Sequence, residues 1–291
     1  MAKTRFQIAK NDIVAGLDGY GKNIFTESDI SAILNKNRGF WRLPLGLTSH
    51  EFVKLLLVYT KMKRIELNFP KSSASRFVWG NASAFSLALS VVKNSYLTHY
   101  TAMFLHNLTD QIPKTIYVNF EQSKKETLED QLSQNSIDKA FSNPSRMSKN
   151  IAMFEDYQIC VINGKFTNRL GVTEIVSSAN ERLQTTDIER TLIDLAVRPF
   201  YAGGIYEVLS AYRKAQGRVS INKLTAMLRK LNYIYPYHQA IGFYLQKTGI
   251  YRESQLELLK QYECKYDFYL THEMKDTEYS KEWRLHYPKG Y

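Results

Sequence analysis

The stretch TSHEFVKLLLVYTKMKRIELNFPKSSASRFVWG, residues 48–80, decides how the first part of the chain is read. It opens on Thr48 and Ser49, whose side chains can satisfy the free N–H groups at a helix start. Phe52, Leu55, Leu56 and Tyr59 then recur at i, i+3, i+4 and i+7, the spacing of a helix with one inward apolar stripe. His50, Lys54 and Lys61 fall on the opposite side of that helix. The period then switches to that of strands. Residues 62–69 read as one strand, 70–75 as a turn and 76–80 as the return strand. This hairpin carries Lys63 and Arg64 at its base, Lys71 near its tip and Arg76 on its return.

Upstream, a helix is expected over residues 5–17, ended by GLDGYG. A second helix begins at Thr26, where Thr26 and Asp29 have capping-box spacing, and Ile30, Ile33 and Leu34 form its stripe. NKNRGFWRLPLGLT, residues 35–48, is rich in Gly and Pro and reads as a loop in which Arg38 and Arg42 flank Trp41. Three helices followed by a basic hairpin is the order of a winged helix-turn-helix. A helix with one apolar side docks on its own domain and turns its other side to the major groove, while lysines neutralise phosphates. The candidate DNA contacts are therefore Arg38, Arg42, His50, Lys54, Lys61, Lys63, Arg64, Lys71 and Arg76.

The charge distribution agrees. The 291 residues hold 39 Lys+Arg and 28 Asp+Glu, a net charge of +11, which favours a polyanionic partner. Residues 1–80 carry 13 Lys/Arg against 6 Asp/Glu, so most of the excess sits in the first quarter of the chain. Apolar residues make up 44%, enough for two domains with cores, expected at 1–80 and 81–291. The expected fold class is α+β, a winged helix-turn-helix followed by a larger mixed α/β domain. No apolar run reaches the length of a membrane span or a signal peptide, so a cytoplasmic location without membrane contact is expected. Cys160 and Cys264 make neither a disulfide framework nor a metal pair.

Beyond residue 80, residues 81–92 read as a small-residue helix. Thr98 reads as the N-cap of a helix ending near residue 108, and 115–120 as a strand. Residues 121–150, which contain QSKKETLEDQLSQNS, read as a long polar surface excursion. Residues 157–162 read as a strand ended by a hairpin turn at Asn163-Gly164, with a further strand or two between 166 and 176. Four helices follow. In the first, Thr186 and Glu189 have capping-box spacing, and Arg190 and Asp194 are placed to pair at i, i+4. Cap and pair are each expected to be worth about 1 kcal/mol. The next helices start after Gly203-Gly204 and at residue 221, and the fourth runs from Pro236 to Gly249. Gly242 inside it costs helix propensity, which close packing would justify. Residues 266–274 and 283–288 read as terminal strands.

Catalytic signatures are sparse. The sequence has no phosphate-cradling glycine loop and no GxSxG elbow, and no metal or cofactor is expected. His99 and His106 share a helix face without a third ligand. Glu263-Cys264-Lys265 has the ExK spacing of many metal-dependent nucleases, but no partner acid is evident.

The segments YLTHYTAMFLHNLTDQIPKTIYV (96–118), TDIERTLIDLAVRPFYAGG (186–204) and YPYHQAIGFYL (235–245), with the hairpin 62–80, resemble the AbiEi antitoxins of type IV toxin–antitoxin systems. The resemblance implies an N-terminal winged helix that represses its own operon by binding inverted repeats in the promoter. It also implies a C-terminal domain that counters a nucleotidyltransferase-like toxin encoded alongside, without a stable complex. The polar positions matching that pattern are His106, Glu189, Arg190, Thr191, Asp194, His238 and Gln239. The competing expectation is a nuclease-like enzyme delivered to nucleic acid by the winged helix.

Overall fold

The first three helices of the chain start at threonines. Thr4, Thr26 and Thr48 each accept a hydrogen bond from the backbone N–H three residues on, and the side chain at that third position bonds back to the cap. In a computed structural model, which describes residues 4–124, 132–177 and 179–291, the chain is α+β. The order begins α1 (Arg5–Asp18), β1 (Ile24–Phe25), α2 (Glu27–Asn37), α3 (Ser49–Tyr59), β2 (Met62–Phe69), β3 (Ser72–Trp79) and α4 (Ala84–Val91). It continues β4 (Tyr96–Leu97), α5 (His99–Leu105), β5 (Thr115–Glu121), α6 (Gln134–Ser142), β6 (Ile151–Phe154), β7 (Tyr157–Gly164), β8 (Val172–Val176) and β9 (Arg182–Thr186). The remainder is α7 (Ile188–Val197), α8 (Ile205–Lys214), α9 (Ile221–Leu231), α10 (Tyr237–Thr248), α11 (Glu253–Lys260), β10 (Phe268–Tyr269), β11 (Thr277–Ser280) and β12 (Leu285–Pro288).

Two compact units divide the chain. The first holds the described residues up to Lys93 together with Asn150–Gln158, and the second those of Asn94–Lys149 and Ile159–Tyr291. The boundary expected at residue 80 is thus displaced. α4 belongs to the first unit, because Arg76 of β3 is hydrogen-bonded to its C-terminal carbonyls. So does β6, which runs beside β2.

In the first unit, α1, α2 and α3 enclose an apolar core that includes Ile13, Leu34, Trp41 and Phe52, and the sheet β1-β3-β2 closes it with Met62, Phe77 and Trp79. The hairpin is tighter than expected. β3 begins at Ser72 rather than 76, pairing Phe69 with Ser72 around a turn at Pro70-Lys71.

In the second unit the strands are ordered β7-β5-β4-β9-β8, with β4 and β9 parallel. The helices α7 to α11 supply most of a larger core. In the small sheet β10-β12-β11, the turn between β11 and β12 carries Trp283, which packs against α10. One expectation changes here. Asn163-Gly164 does not form a hairpin turn: both residues lie within β7, where a side chain on Gly164 would meet the Asn119 amide at 2.4 Å. α6 and α11 were not foreseen. Part of the polar excursion, residues 125–131, lies outside the described residues.

Candidate nucleic-acid interface and buried polar cluster

The outward side of α3 and the hairpin present their cations to solvent, but not all of the nine expected ones. His50 and Lys54 are exposed on α3, Lys63 on β2, and Lys71 at the hairpin tip. Arg42 is exposed in the loop between α2 and α3, with a left-handed φ of 51°. Arg64 is also exposed, but it is paired with Glu66 at 2.5 Å.

Three residues depart from the sequence reading. Arg38 folds back on its own loop, donating to the carbonyls of Pro44 and Leu47, so it fastens the connection between α2 and α3. Lys61 lies beyond the end of α3 rather than on its face. It donates to Asp18 at 2.6 Å and sits 5.0 Å above the Trp79 ring, whose Nε1 donates to the same carboxylate. Arg76 is buried, with 9% of its surface exposed, and donates to the carbonyls of Ser90 and Val91. It caps the C-terminal end of α4, where a cation also meets the negative end of the helix dipole. Of the nine expected residues, the side chains exposed with no ion pair within 4.0 Å among the described residues are therefore Arg42, His50, Lys54, Lys63 and Lys71.

In the second unit, the motif positions are mostly structural. Glu189 does not cap its own helix. Asp187 takes that role by accepting from the Arg190 N–H at 2.8 Å. The Glu189 carboxylate instead reaches α9, accepting from Ser220 N and from Lys223 Nζ, each at 2.9 Å. Burial works against its charge, but those hydrogen bonds prevail and hold its pKa below the usual carboxylate range. The Thr191 hydroxyl is bonded to that of Thr186, and His106 Nε2 lies 2.6 Å from the Thr186 carbonyl. Gln239 donates to the carbonyls of Tyr266, Trp283 and Arg284, tying α10 to the C-terminal strands. His238 stacks on Tyr262 with ring centroids 5.1 Å apart, and burial pushes its pKa down to about 4.

Arg190 and Asp194 pair as expected, at 2.8 Å, with only 5% and 7% of their side chains exposed. Arg190 donates further to the Leu170 carbonyl, and Asp194 accepts from Thr98. Burial opposes the Arg190 charge, but the Asp194 carboxylate more than offsets it and raises the pKa above the ordinary arginine value. The sequence reading missed the groups around them. Asn119 donates to the Tyr96 hydroxyl, which donates to Glu121, and Glu121 also accepts from the backbone of Thr167 and Arg169. Asn119 and the Arg190–Asp194 pair line a cavity of about 40 Å³, together with Lys165, Arg198 and Tyr233 among others. That is room for a water-sized guest. His99, also on its wall, is pushed down to about 3, first by burial and then by Arg198 and Arg190, against the Asp194 carboxylate. The signal available in the sequence was the density of Tyr, Asn, Glu and Arg on short strands and their loops, where a core would be apolar.

Among the described residues, no three His, Cys, Asp or Glu side chains group as a metal site, and no helix is long and apolar enough to cross a membrane. Glu263 and Lys265 are exposed and line a separate, tyrosine-rich cleft.

The chain is similar to the crystal structure of the RV2827C protein from Mycobacterium tuberculosis, with a TM-score of 0.59 at 13% identity, over 96% of this chain and 91% of that one. At that identity the likeness concerns the fold alone. No protein-family model matches the sequence, and neither does a curated protein.

Proposed function

We propose that this chain is a DNA-binding autorepressor and antitoxin. Its first unit acts as a winged helix on promoter DNA carrying inverted repeats, and its second unit counters a nucleotidyltransferase-like toxin. The observation that carries the first half is the exposed face of α3 and the β2–β3 hairpin: Lys54, Lys63 and Lys71, with the His50 imidazole on the same helix, stand free of the ion pairs that occupy Lys61 and Arg64. In a winged helix the helix flank faces the major groove and the hairpin faces the adjacent backbone, and ammonium groups release counterions on contact with phosphate.

The second half rests on the resemblance of residues 96–118, 186–204 and 235–245 to the AbiEi antitoxins. The motif residues there act as caps and ties, which suits a rigid binding or scaffolding domain. Co-expression with a nucleotidyltransferase-like toxin encoded beside this gene tests it: growth is restored by the full chain, and a chain that leaves the toxin fully active contradicts the reading. Titration of duplex DNA at stepped salt concentrations tests the first half.

A further inference from the structure

A quarter of the chain's 20 tyrosines line one cleft. Tyr233, Tyr235 and Tyr237 come from the segment leading into α10, and Tyr262 and Tyr266 from the segment after α11. The cleft has a volume of about 280 Å³ and also takes in His238, Arg229 and Lys265. Ligand pockets begin at about this size, so it suits one planar ring system with a substituent rather than an extended peptide.

Its chemistry is narrower than its shape. Tyr262 and Tyr266 use their hydroxyls on the carbonyls of Thr225 and Leu132, which fixes their rings as rigid walls. Flexible cations rest over those rings: Arg229 lies 5.7 Å from the Tyr262 centroid and Lys265 lies 5.3 Å from that of Tyr266. Both cations are exposed at the rim, so each can leave its ring for an anion while a π system takes its place. His238, stacked on Tyr262, is neutral at pH 7 and adds a flat polar surface without charge. Fixed aromatic rings with mobile cations at the rim are the combination that binds a base and its phosphate together.

We propose that this cleft binds a nucleoside monophosphate unit, its base among Tyr262, Tyr266 and His238 and its phosphate on Arg229 and Lys265. The inference is independent of the DNA-binding reading, which concerns the first unit. The unit can be a free nucleotide or the end of a single strand.

Calorimetric titration of the full chain with the four common ribonucleoside 5′-monophosphates tests it, with inorganic phosphate, ribose 5-phosphate and a single-stranded hexanucleotide as competitors. At least one nucleotide binds, and the two base-free phosphates do not displace it. Displacement by the hexanucleotide assigns the site to strand ends, and its failure to displace assigns it to free nucleotides. Tyr262→Leu weakens binding about tenfold or more, and Arg229→Ala with Lys265→Ala weakens it several-fold with the melting temperature unchanged. The proposal is overturned if none of the nucleotides binds at millimolar concentration and the hexanucleotide gives no heat that Tyr262→Leu removes. It is equally overturned if inorganic phosphate displaces the nucleotide as readily as another nucleotide does. Should Tyr262→Leu unfold, the two exposed cation substitutions decide alone, and unchanged binding in them overturns it.

Discussion

Gly242 lies directly against the Trp283 indole: a Cβ on Gly242 would come within 2.2 Å of the ring. The indole is 1% exposed, and its Nε1 donates to Gln246 one turn along α10. The glycine costs about 1 kcal/mol of helix propensity relative to alanine, and what it gains is the close approach of β12 to α10. Gly242→Ala should therefore destabilise the protein, by about 2–4 kcal/mol, although it removes a helix-breaking residue. Denaturant unfolding checks this; a variant as stable as the parent or more so would show that the ring moves aside freely.

The Arg190–Asp194 pair is buried, so the 1 kcal/mol expected from a surface pair is too small. Asp194→Asn leaves the guanidinium in place without its counter-charge and should cost about 3–5 kcal/mol. Glu189→Gln, whose partner Lys223 is half exposed, should cost less. Equilibrium unfolding of both variants sets the order, and the reverse order would refute the burial argument.

Stability should fall in mild acid through two histidines. His99 and His238 have folded-state pKa values pushed down by burial to about 3 and about 4. In the unfolded chain both take up protons near 6.5. Below that pH the unfolded state binds protons that the folded state refuses, so each histidine removes up to about 1.4 kcal/mol per pH unit until its folded value is reached. Melting temperatures between pH 7 and pH 5 should decline, and less steeply in His238→Leu. A flat profile over that window would contradict the assignment.

Arg76 and Lys71 separate a fold role from a DNA role. Arg76→Ala strands the α4 carbonyls and should lower the melting temperature of the first unit. Lys71→Ala should leave it unchanged while weakening binding to all duplex sequences alike. Equal melting temperatures for the two variants would return Arg76 to the surface.

The starts of the first three helices, the apolar stripes of the second and third and the strand over 62–69 were legible because each depends on residues within one or two turns. The errors share a cause, which is a distant partner. Thr186 and Glu189 have the spacing of a capping box, yet Glu189 is claimed by Ser220 and Lys223, more than thirty residues on. Asn163-Gly164 carries a turn signal, but the glycine is there for Asn119. Arg76 has the look of a hairpin cation, and only the return of α4 buries it. The candidate interface was half legible: exposure of Lys54, Lys63 and Lys71 is local, whereas Lys61 and Arg76 are captured by other elements, and Arg38 is captured within its own loop by the carbonyls of Pro44 and Leu47.

The most direct test of the DNA-binding account is the salt dependence of duplex binding by the full chain and by its Lys54→Ala, Lys63→Ala, Lys71→Ala triple variant. The slope of log affinity against log salt is about 0.9 per phosphate contact. The triple variant, with its melting temperature unchanged, should bind more weakly and show a slope shallower by about two to three. A folded triple variant with the parent's affinity and slope would contradict the account, because DNA binding would then lie on another surface.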